Sequence, residues 1–150
     1  MTHAELLSYL TTKAEAVSGI GSSVYGWVSD VNANIGALPC FYFQPPVEDD
    51  DLNGVIRYNA VYYLIDTGRA SSGEGVEMTM AEKDTKWDVL KGYVTTWIRS
   101  VLDKDNQIAE FGKKLINVKS LKVSRDEQLS NKDDLFLQIR LTIETINARC

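Results

Sequence analysis

The chain has 150 residues, of which 44% are hydrophobic and 25% charged, and its formal net charge is −5 at pH 7. This length suits one domain with a single substantial core, and the composition is that of an ordinary globular protein. The negative charge argues against a general nucleic-acid-binding protein. We therefore expect one globular domain spanning residues 1–150.

The two cysteines, Cys40 and Cys150, do not make a disulfide framework, and Cys40 lies in an apolar stretch where we expect it to be buried and inert. No apolar run approaches the ~20 residues that are needed to span a bilayer. The N-terminus lacks a basic segment followed by an apolar core, so we expect no secretory signal and folding in the cytoplasm.

The first predicted element is an N-terminal helix that begins with a capping box formed by Thr2 and Glu5. Its apolar face is the set Leu6, Leu7, Leu10, Ala14 and Val17. The following Val24–Val28 fits either a short strand or an apolar loop, and 30–37 is rich in turn-forming residues.

Two strands are predicted next. Leu38–Gln44 reads as a strand that stops at Pro45-Pro46, and Val55–Ile65 reads as a longer one. Apolar residues lie on both faces of the second strand, which indicates an interior strand packed on two sides. Val47–Gly54, between the strands, and Asp66–Glu77, after them, are predicted to be loops.

The longest helical pattern is Thr79–Leu102, and Thr79 with Glu82 forms a second capping box. One helical face is apolar, and polar residues that include Lys83 and Lys91 occupy the rest. The apolar residues are Trp87, Leu90, Val94, Trp97, Ile98, Val101 and Leu102. The two tryptophans fit a ligand box or a core stripe packed on a sheet, and the spacing favours the core stripe.

The C-terminal third is predicted to form a linker and two strands. Asp103–Leu115 reads as a linker with at most one helical turn. Ile116–Val123 reads as a strand with a bulge near Lys119-Ser120, because its apolar positions change parity there. Ser124–Asp134 is a charged loop, and Leu135–Ile143 alternates cleanly between apolar and mostly polar residues.

The element order is therefore helix, strand, strand, helix, strand, strand. Two consecutive hairpins favour the α+β class, with a mainly antiparallel four-stranded sheet and the N-terminal and long central helices packed on one face. The ambiguous stretch near residue 24 leaves room for an extra short strand.

Two stretches resemble ligand-binding loops but lack the residue that carries the chemistry. Asp49, Asp51, Asn53 and Gly54 match half of a calcium loop, yet Ala60 stands where a bidentate glutamate is required. We interpret Glu48–Asp51 as a solvated acidic loop, with weak cation binding as the alternative.

The other stretch is Gly68–Gly73, which precedes a helix as a phosphate loop would, but Glu74 replaces the lysine that such a loop needs. The sole histidine, His3, provides no partner for a catalytic triad in the body of the chain. We predict no catalytic, cofactor-binding or metal-binding residues, no cofactor and no enzymatic activity.

Charge is divided unevenly along the chain. Residues 1–78 hold three basic side chains against ten acidic ones, a net of −7, whereas 79–150 hold thirteen basic against eleven acidic, a net of +2. This division fits chance variation on a solvated surface, or head-to-tail association between an acidic surface and a basic surface.

Across nearly the whole chain, the order of the predicted elements and the residue types within them resemble those of the tail-terminator (tail-completion) proteins of tailed bacteriophages and of related neck proteins. The resemblance rests on the N-terminal helix, the long amphipathic helix and four strand segments, which are the proline-ended aromatic segment Leu38–Pro46, Arg57–Ile65, Ile116–Val123 and Leu135–Ile143.

The resemblance implies a non-enzymatic virion subunit, assembled in the bacterial cytoplasm, that forms a homo-oligomeric ring at the head-proximal end of the tail. Such a ring stops tail-tube polymerisation and offers a joining surface to neck or head-connector proteins. DNA passes through it without sequence-specific binding, and no membrane is involved. Three loops, Pro45–Gly54, Asp66–Glu77 and Ser124–Asp134, are the expected contact arms. The alternatives are another neck, head-completion or connector protein, and a small-molecule-binding α+β domain.

Overall fold

The computed structural model describes residues 1–50, 54–69, 78–127 and 134–146. These residues form an α+β structure with one six-stranded sheet in the order β1-β2-β4-β6-β5, with β3 paired to β4. The elements in chain order are α1 (His3–Glu15), β1 (Ser22–Tyr25), a 3₁₀ turn (Val28–Asp30), α2 (Val31–Asn34), β2 (Cys40–Phe43), β3 (Val47–Asp50), β4 (Val55–Thr67), α3 (Met80–Leu102), α4 (Lys104–Phe111), β5 (Ile116–Glu127) and β6 (Asp134–Ile146).

The α+β class and the mainly antiparallel sheet are confirmed, but the sheet is mixed and has six strands instead of the predicted four with one possible extra. β1 pairs in parallel with β2, whereas every other pairing is antiparallel. β4 occupies the centre, because β6 lies along its whole length on one side and β2 and β3 share the other. The prediction that Val55–Ile65 forms an interior strand is confirmed.

The long central helix matches its prediction closely. Thr79 caps α3, and the reciprocal bonds of the capping box with Glu82 are present. The predicted apolar stripe is the buried one, since Trp87, Leu90, Val94, Trp97 and Val101 lie against the sheet. Lys83 departs from the expectation of a solvated position. It is only 7% exposed, because it continues the same stripe one turn before Trp87.

The main core lies between the sheet and the two helices α1 and α3, which pack on one face as predicted. Trp97 is fully buried and contacts Phe41, Phe43 and Tyr62, with ring centroids 5.2, 5.8 and 6.4 Å away. We call this side of the sheet the helix face. Aromatic rings bury large areas, so this cluster contributes strongly to the stability of the core.

A smaller core lies on the opposite face of the sheet, at the β1–β2 end. Tyr42, Tyr63, Ile65 and Phe136 pack there against Val31 of α2. This face was predicted to carry no helix, but α2 and the 3₁₀ turn cover it locally. The chain passes directly from β1 into the 3₁₀ turn and α2, so these two elements cover only the strands nearest β1.

Three other segments differ from their predictions. Val47–Asp50 of the predicted loop 47–54 is strand β3, because it pairs with Ile56–Asn59 of β4. The predicted linker 103–115 contains the eight-residue helix α4. Strands β5 and β6 extend into the predicted loop Ser124–Asp134, and β6 continues to Ile146. The predicted bulge is confirmed by a register shift between Val118 and Ser120.

Candidate assembly surface

Beyond the smaller core, the second face of the sheet is left uncovered by the described residues and is lined by polar side chains. We call this region the open face. Pairing in register places these side chains in rows across the strands, since directly opposite residues share a face. The rows, read from β4 through β6 to β5, are Arg57, Glu144 and Asn117, then Asn59, Thr142 and Ser120, then Val61, Arg140 and Lys122.

The first two rows are internally satisfied. Arg57 Nε donates to Glu144 Oε1 at 2.7 Å, and Lys119 Nζ lies 3.7 Å from the other oxygen of that carboxylate. The hydrogen bond from Arg57 is the main reason that the pKa of Glu144 lies below its usual value. Ser120 Oγ donates to Thr142 Oγ1 at 3.3 Å, and Thr142 Oγ1 donates to Asn59 Oδ1 at 3.0 Å.

The third row contains two cations, Lys122 and Arg140, which we call the basic pair. Both side chains are exposed, and neither forms a salt bridge with any described residue. Arg140 Nε donates to Gln138 Oε1 at 3.0 Å, and Gln138 Nε2 donates to the Tyr63 hydroxyl at 3.1 Å. This chain of bonds orients the guanidinium, and its remaining donors have no partner among the residues that the structure describes.

A shallow hollow of about 410 Å³ lies beside the basic pair. Lys122, Arg140, Asn59, Thr142 and Ser120 contribute its polar lining, and Val47 and Val61 its apolar lining. The hollow therefore combines two cations, a set of hydroxyl and amide groups and a small apolar patch. Such a surface suits an anionic partner that also brings some apolar contact.

The acidic strand, defined as Glu48, Asp49 and Asp50 of β3, lies at the other edge of the sheet. Every residue of β3 is exposed, and these carboxylates form no salt bridge with the described residues. The carboxylates alternate between the two faces of the strand: Asp49 lies opposite Arg57 on the open face, whereas Glu48 and Asp50 lie opposite Tyr58 and Ile56 on the helix face. The negative charge of the first half of the chain is thus partly concentrated on one exposed strand.

The carboxylates of β3 are separated from Lys122 of the basic pair by two strands of the sheet, although Val47 of β3 also lines the hollow. β3 is at one edge and β5 at the other, separated by β4 and β6. All three pairings between them are antiparallel, so β3 runs in the opposite direction to β5. At about 4.8 Å per strand, the two edges are roughly 14 Å apart. Within the described residues, each of these two strands pairs on one side only.

Trp27 and Tyr25 form an exposed aromatic surface at the β1 edge, with exposed fractions of 57% and 47%. The backbone around Trp27 is nonetheless fixed. Its carbonyl accepts from the Tyr42 hydroxyl at 2.8 Å, and the next amide, of Val28, donates to Gln44 Oε1 at 2.8 Å. The sequence reading left this stretch undecided between strand and loop, and so it missed an exposed tryptophan on a rigid support.

The residues considered as a ligand box occupy the core. Trp97 is fully buried and donates from Nε1 to the Leu10 carbonyl at 3.0 Å, and Trp87 Nε1 donates to the Phe136 carbonyl at 3.4 Å. Arg125 lies over the Trp87 ring and pairs with Asp84. Tyr63 lies on the opposite face of the sheet from the two tryptophans, in the smaller core.

The remaining candidates are placed as follows. Asp49 lies in β3, so the calcium-loop half-match starts in a strand, and its residues 51 and 53 lie outside the described residues. The phosphate-loop stretch is described only at Gly68 and Arg69. Cys40 is fully buried, as predicted. Across the described ranges, no group of three or more His, Cys, Asp or Glu residues is arranged to hold a metal ion.

His3 packs against the rings of Tyr58 and Tyr25, with centroids 5.3 and 6.1 Å away. Burial lowers the pKa of His3, and the nearby Glu48 opposes that shift. No helix in the described part of the chain is both long and apolar enough to cross a membrane. The contact arms expected at Pro45–Gly54 and Ser124–Asp134 are described only in part, and within them Val47–Asp50, 124–127 and Asp134 belong to strands.

No protein-family model matches the chain, and no curated protein matches its sequence significantly.

Proposed function

We propose that the chain is a non-enzymatic subunit of a tailed-bacteriophage virion that forms a ring at the head-proximal end of the tail. The ring ends polymerisation of the tail tube and presents a joining surface to the neck or head connector. The class of protein that we propose comes from the resemblance to tail-terminator proteins.

The observation that carries the proposal is the placement of two different exposed strands at opposite edges of the described sheet. The exposed strand β3 and the exposed edge strand β5 lie at opposite edges of the sheet. A ring is built from heterologous contacts, in which one surface of each subunit meets a different surface of the next. An arrangement with opposed, dissimilar edges favours this kind of contact over a two-fold dimer.

The long edge strand gives independent support. β5 spans twelve residues, Ile116–Glu127, and its outer edge pairs with no other strand among the described residues. An unpaired edge of that length attracts other chains. Its lysines and its bulge limit non-specific pairing, while a defined partner edge still fits. An assembly protein uses such an edge productively.

A polymerisation assay tests this function. On its own, purified tail-tube protein from the same phage should form tubes of uncontrolled length. When this chain is added in an amount equimolar to the tube ends, the tubes should be short and capped. Electron microscopy would report the length distribution and the density at tube ends. Unchanged tube lengths with no end-bound density would contradict terminator activity, and binding to the portal or connector instead would support the neck-protein alternative.

A further inference from the structure

The basic pair lacks a compensating charge within the described part of the subunit. Lys122 and Arg140 lie directly opposite each other across β5 and β6, and like charges in that position are destabilising. Glu144, in the first row, is four residues from Arg140 along β6, which is about 13 Å at ~3.3 Å per residue. That distance exceeds the Debye length of about 10 Å at 0.1 M salt. Glu144 is moreover bound by Arg57 and Lys119, so it does not neutralise the pair.

The hollow beside the basic pair offers mainly hydrogen-bond donors. Neither the ammonium of Lys122 nor the two terminal nitrogens of Arg140 have a partner among the residues that the structure describes. The chain of bonds from Ser120 through Thr142 ends on Asn59 Oδ1. Asn59 also lines the hollow, and its amide nitrogen donates to no described residue. A ligand that brings negative charge and several acceptor oxygens would satisfy these donors, whereas a cation would not.

The guanidinium of Arg140 is held in place by buried neighbours. Gln138 accepts from Arg140 Nε at 3.0 Å and itself donates to the Tyr63 hydroxyl at 3.1 Å. Tyr63 is only 6% exposed, because its ring packs edge-on against Phe136 in the smaller core, with ring centroids 5.9 Å apart. An arginine that is oriented in advance loses less conformational freedom when it binds an oxyanion. The site is therefore built into the sheet.

The rest of the lining indicates what accompanies the oxyanion. At roughly 30 Å³ per water, the hollow of about 410 Å³ has room for much more than one small ion. Val47 and Val61 supply aliphatic surface beside the cations, and the described lining contains no aromatic ring. Nucleic-acid strands bind on aromatic rings that stack their bases and on strongly basic surfaces, whereas this chain has a net charge of −5. A carboxylate on a peptide with aliphatic side chains fits both parts of the lining.

We propose that the hollow beside the basic pair binds an acidic segment of a partner protein, in which a glutamate or aspartate lies next to an aliphatic residue. The carboxylate accepts hydrogen bonds from Arg140 and Lys122, which lie on either side of it. The aliphatic side chain packs on Val47 and Val61. The site lies within one subunit and requires neither a ring nor tube protein, so the inference goes beyond the proposed function.

A peptide titration followed by NMR tests the site. The probe is a short peptide of alternating glutamate and valine with blocked ends, and its neutral match has glutamine in place of glutamate. The variant Lys122→Gln with Arg140→Gln removes both charges of the pair. Arg99→Gln with Lys104→Gln removes two charges from exposed helix positions and serves as the control. Two-dimensional spectra of the isotopically labelled chain report which backbone amides move and at what peptide concentration, and thermal unfolding establishes that each variant is folded.

We expect the glutamate peptide to shift the amides of Ser120, Lys122 and Arg140, which line the hollow. Removing the charges from the pair, or from the peptide, should weaken binding on the order of 10-fold or more, since one charge-assisted hydrogen bond contributes at least that factor. The control variant should bind as the wild type does. The Lys122→Gln, Arg140→Gln variant should unfold at the same temperature as the wild type or a higher one, because it loses the repulsion between facing like charges.

Other results would overturn the inference. The absence of shifts at the hollow, or equal shifts with the glutamine peptide, would show that no acidic segment binds there, and loss of binding in the control would show that only overall charge matters. Inorganic phosphate that binds at the same concentration as the glutamate peptide would reduce the hollow to a general anion site. Tighter binding of a single-stranded DNA oligonucleotide at the same amides would assign the pair to nucleic-acid phosphates. Shifts that grow as the chain alone is concentrated would assign it to a second copy.

Discussion

The indole nitrogen of Trp97 donates a hydrogen bond of 3.0 Å to the main-chain oxygen of Leu10, and so it ties α3 to α1 at the centre of the core. Trp97→Asp places a carboxylate in a site with no solvent exposure. The free-energy cost of burying an unpaired charge there exceeds the ~5–15 kcal/mol stability of a typical domain. We expect this variant not to fold. Thr96→Asp, on the exposed side of the same turn, should fold and lose about 1 kcal/mol at most. Near-ultraviolet circular dichroism distinguishes the outcomes, and a folded, soluble Trp97→Asp protein would refute the scaffold role of α3.

Gln107 connects three elements although it is completely buried. Its amide nitrogen donates to the carbonyls of Val101 and Ile116, and its amide oxygen accepts from the main-chain nitrogens of Leu115 and Ile116. Gln107→Leu preserves size but leaves buried main-chain groups without partners, at about 1–3 kcal/mol each. We expect a loss of about 3 kcal/mol or more in urea unfolding. Glu110→Gln, exposed on the same helix, should change stability by less than about 0.5 kcal/mol, and an equal effect at both sites would contradict the account.

Gly92 weakens α3 without serving its packing. It lies inside the helix, and a Cβ built there meets nothing within 4 Å. Gly92→Ala should therefore raise the free energy of unfolding by about 0.5–1 kcal/mol through helix propensity. The matched change Gly19→Ala should destabilise, because Gly19 has a φ of +100° and its new Cβ would lie 2.5 Å from the Tyr93 hydroxyl. Denaturant unfolding of both variants would show whether Gly92→Ala raises the free energy of unfolding and Gly19→Ala lowers it.

Tyr9 should make stability fall at alkaline pH. Burial, aided by Asp103 and Glu110, raises the pKa of its phenol to about 12 from the usual 10.0. The folded state therefore keeps a proton that the unfolded state loses, so the stabilisation is complete below about pH 10 and disappears as pH rises towards 12. The stability advantage of the wild type over Tyr9→Phe should shrink across this window. An advantage that is constant from about pH 9 to about pH 12 would contradict the shift.

Local sequence patterns predicted the elements whose formation depends on local contacts. The capping box at Thr79 and Glu82 fixes where α3 begins, and the spacing of Trp87, Leu90 and Val94 fixes which side is buried. The parity change near Lys119 located the bulge. Each of these features is encoded within a few residues, so one sequence suffices to find it.

The features that the sequence did not reveal depend on contacts between distant residues. The segment Val47–Asp50 has an acidic composition that disfavours strands, and it becomes β3 only because β4 offers an edge for pairing. α4 is polar overall, and its one buried side chain, Gln107, is stabilised by partners on other elements. The basic pair could have been suspected only from the register of β5 against β6, since Lys122 and Arg140 are far apart in sequence.

The mass of the assembled protein tests the central claim most directly. Native mass spectrometry at micromolar concentration, with the chain alone and then with tail-tube protein, should show a closed oligomer of one defined subunit number that binds the tube protein. Only a monomer in both samples, with no complex with tube or neck proteins, would contradict the ring account.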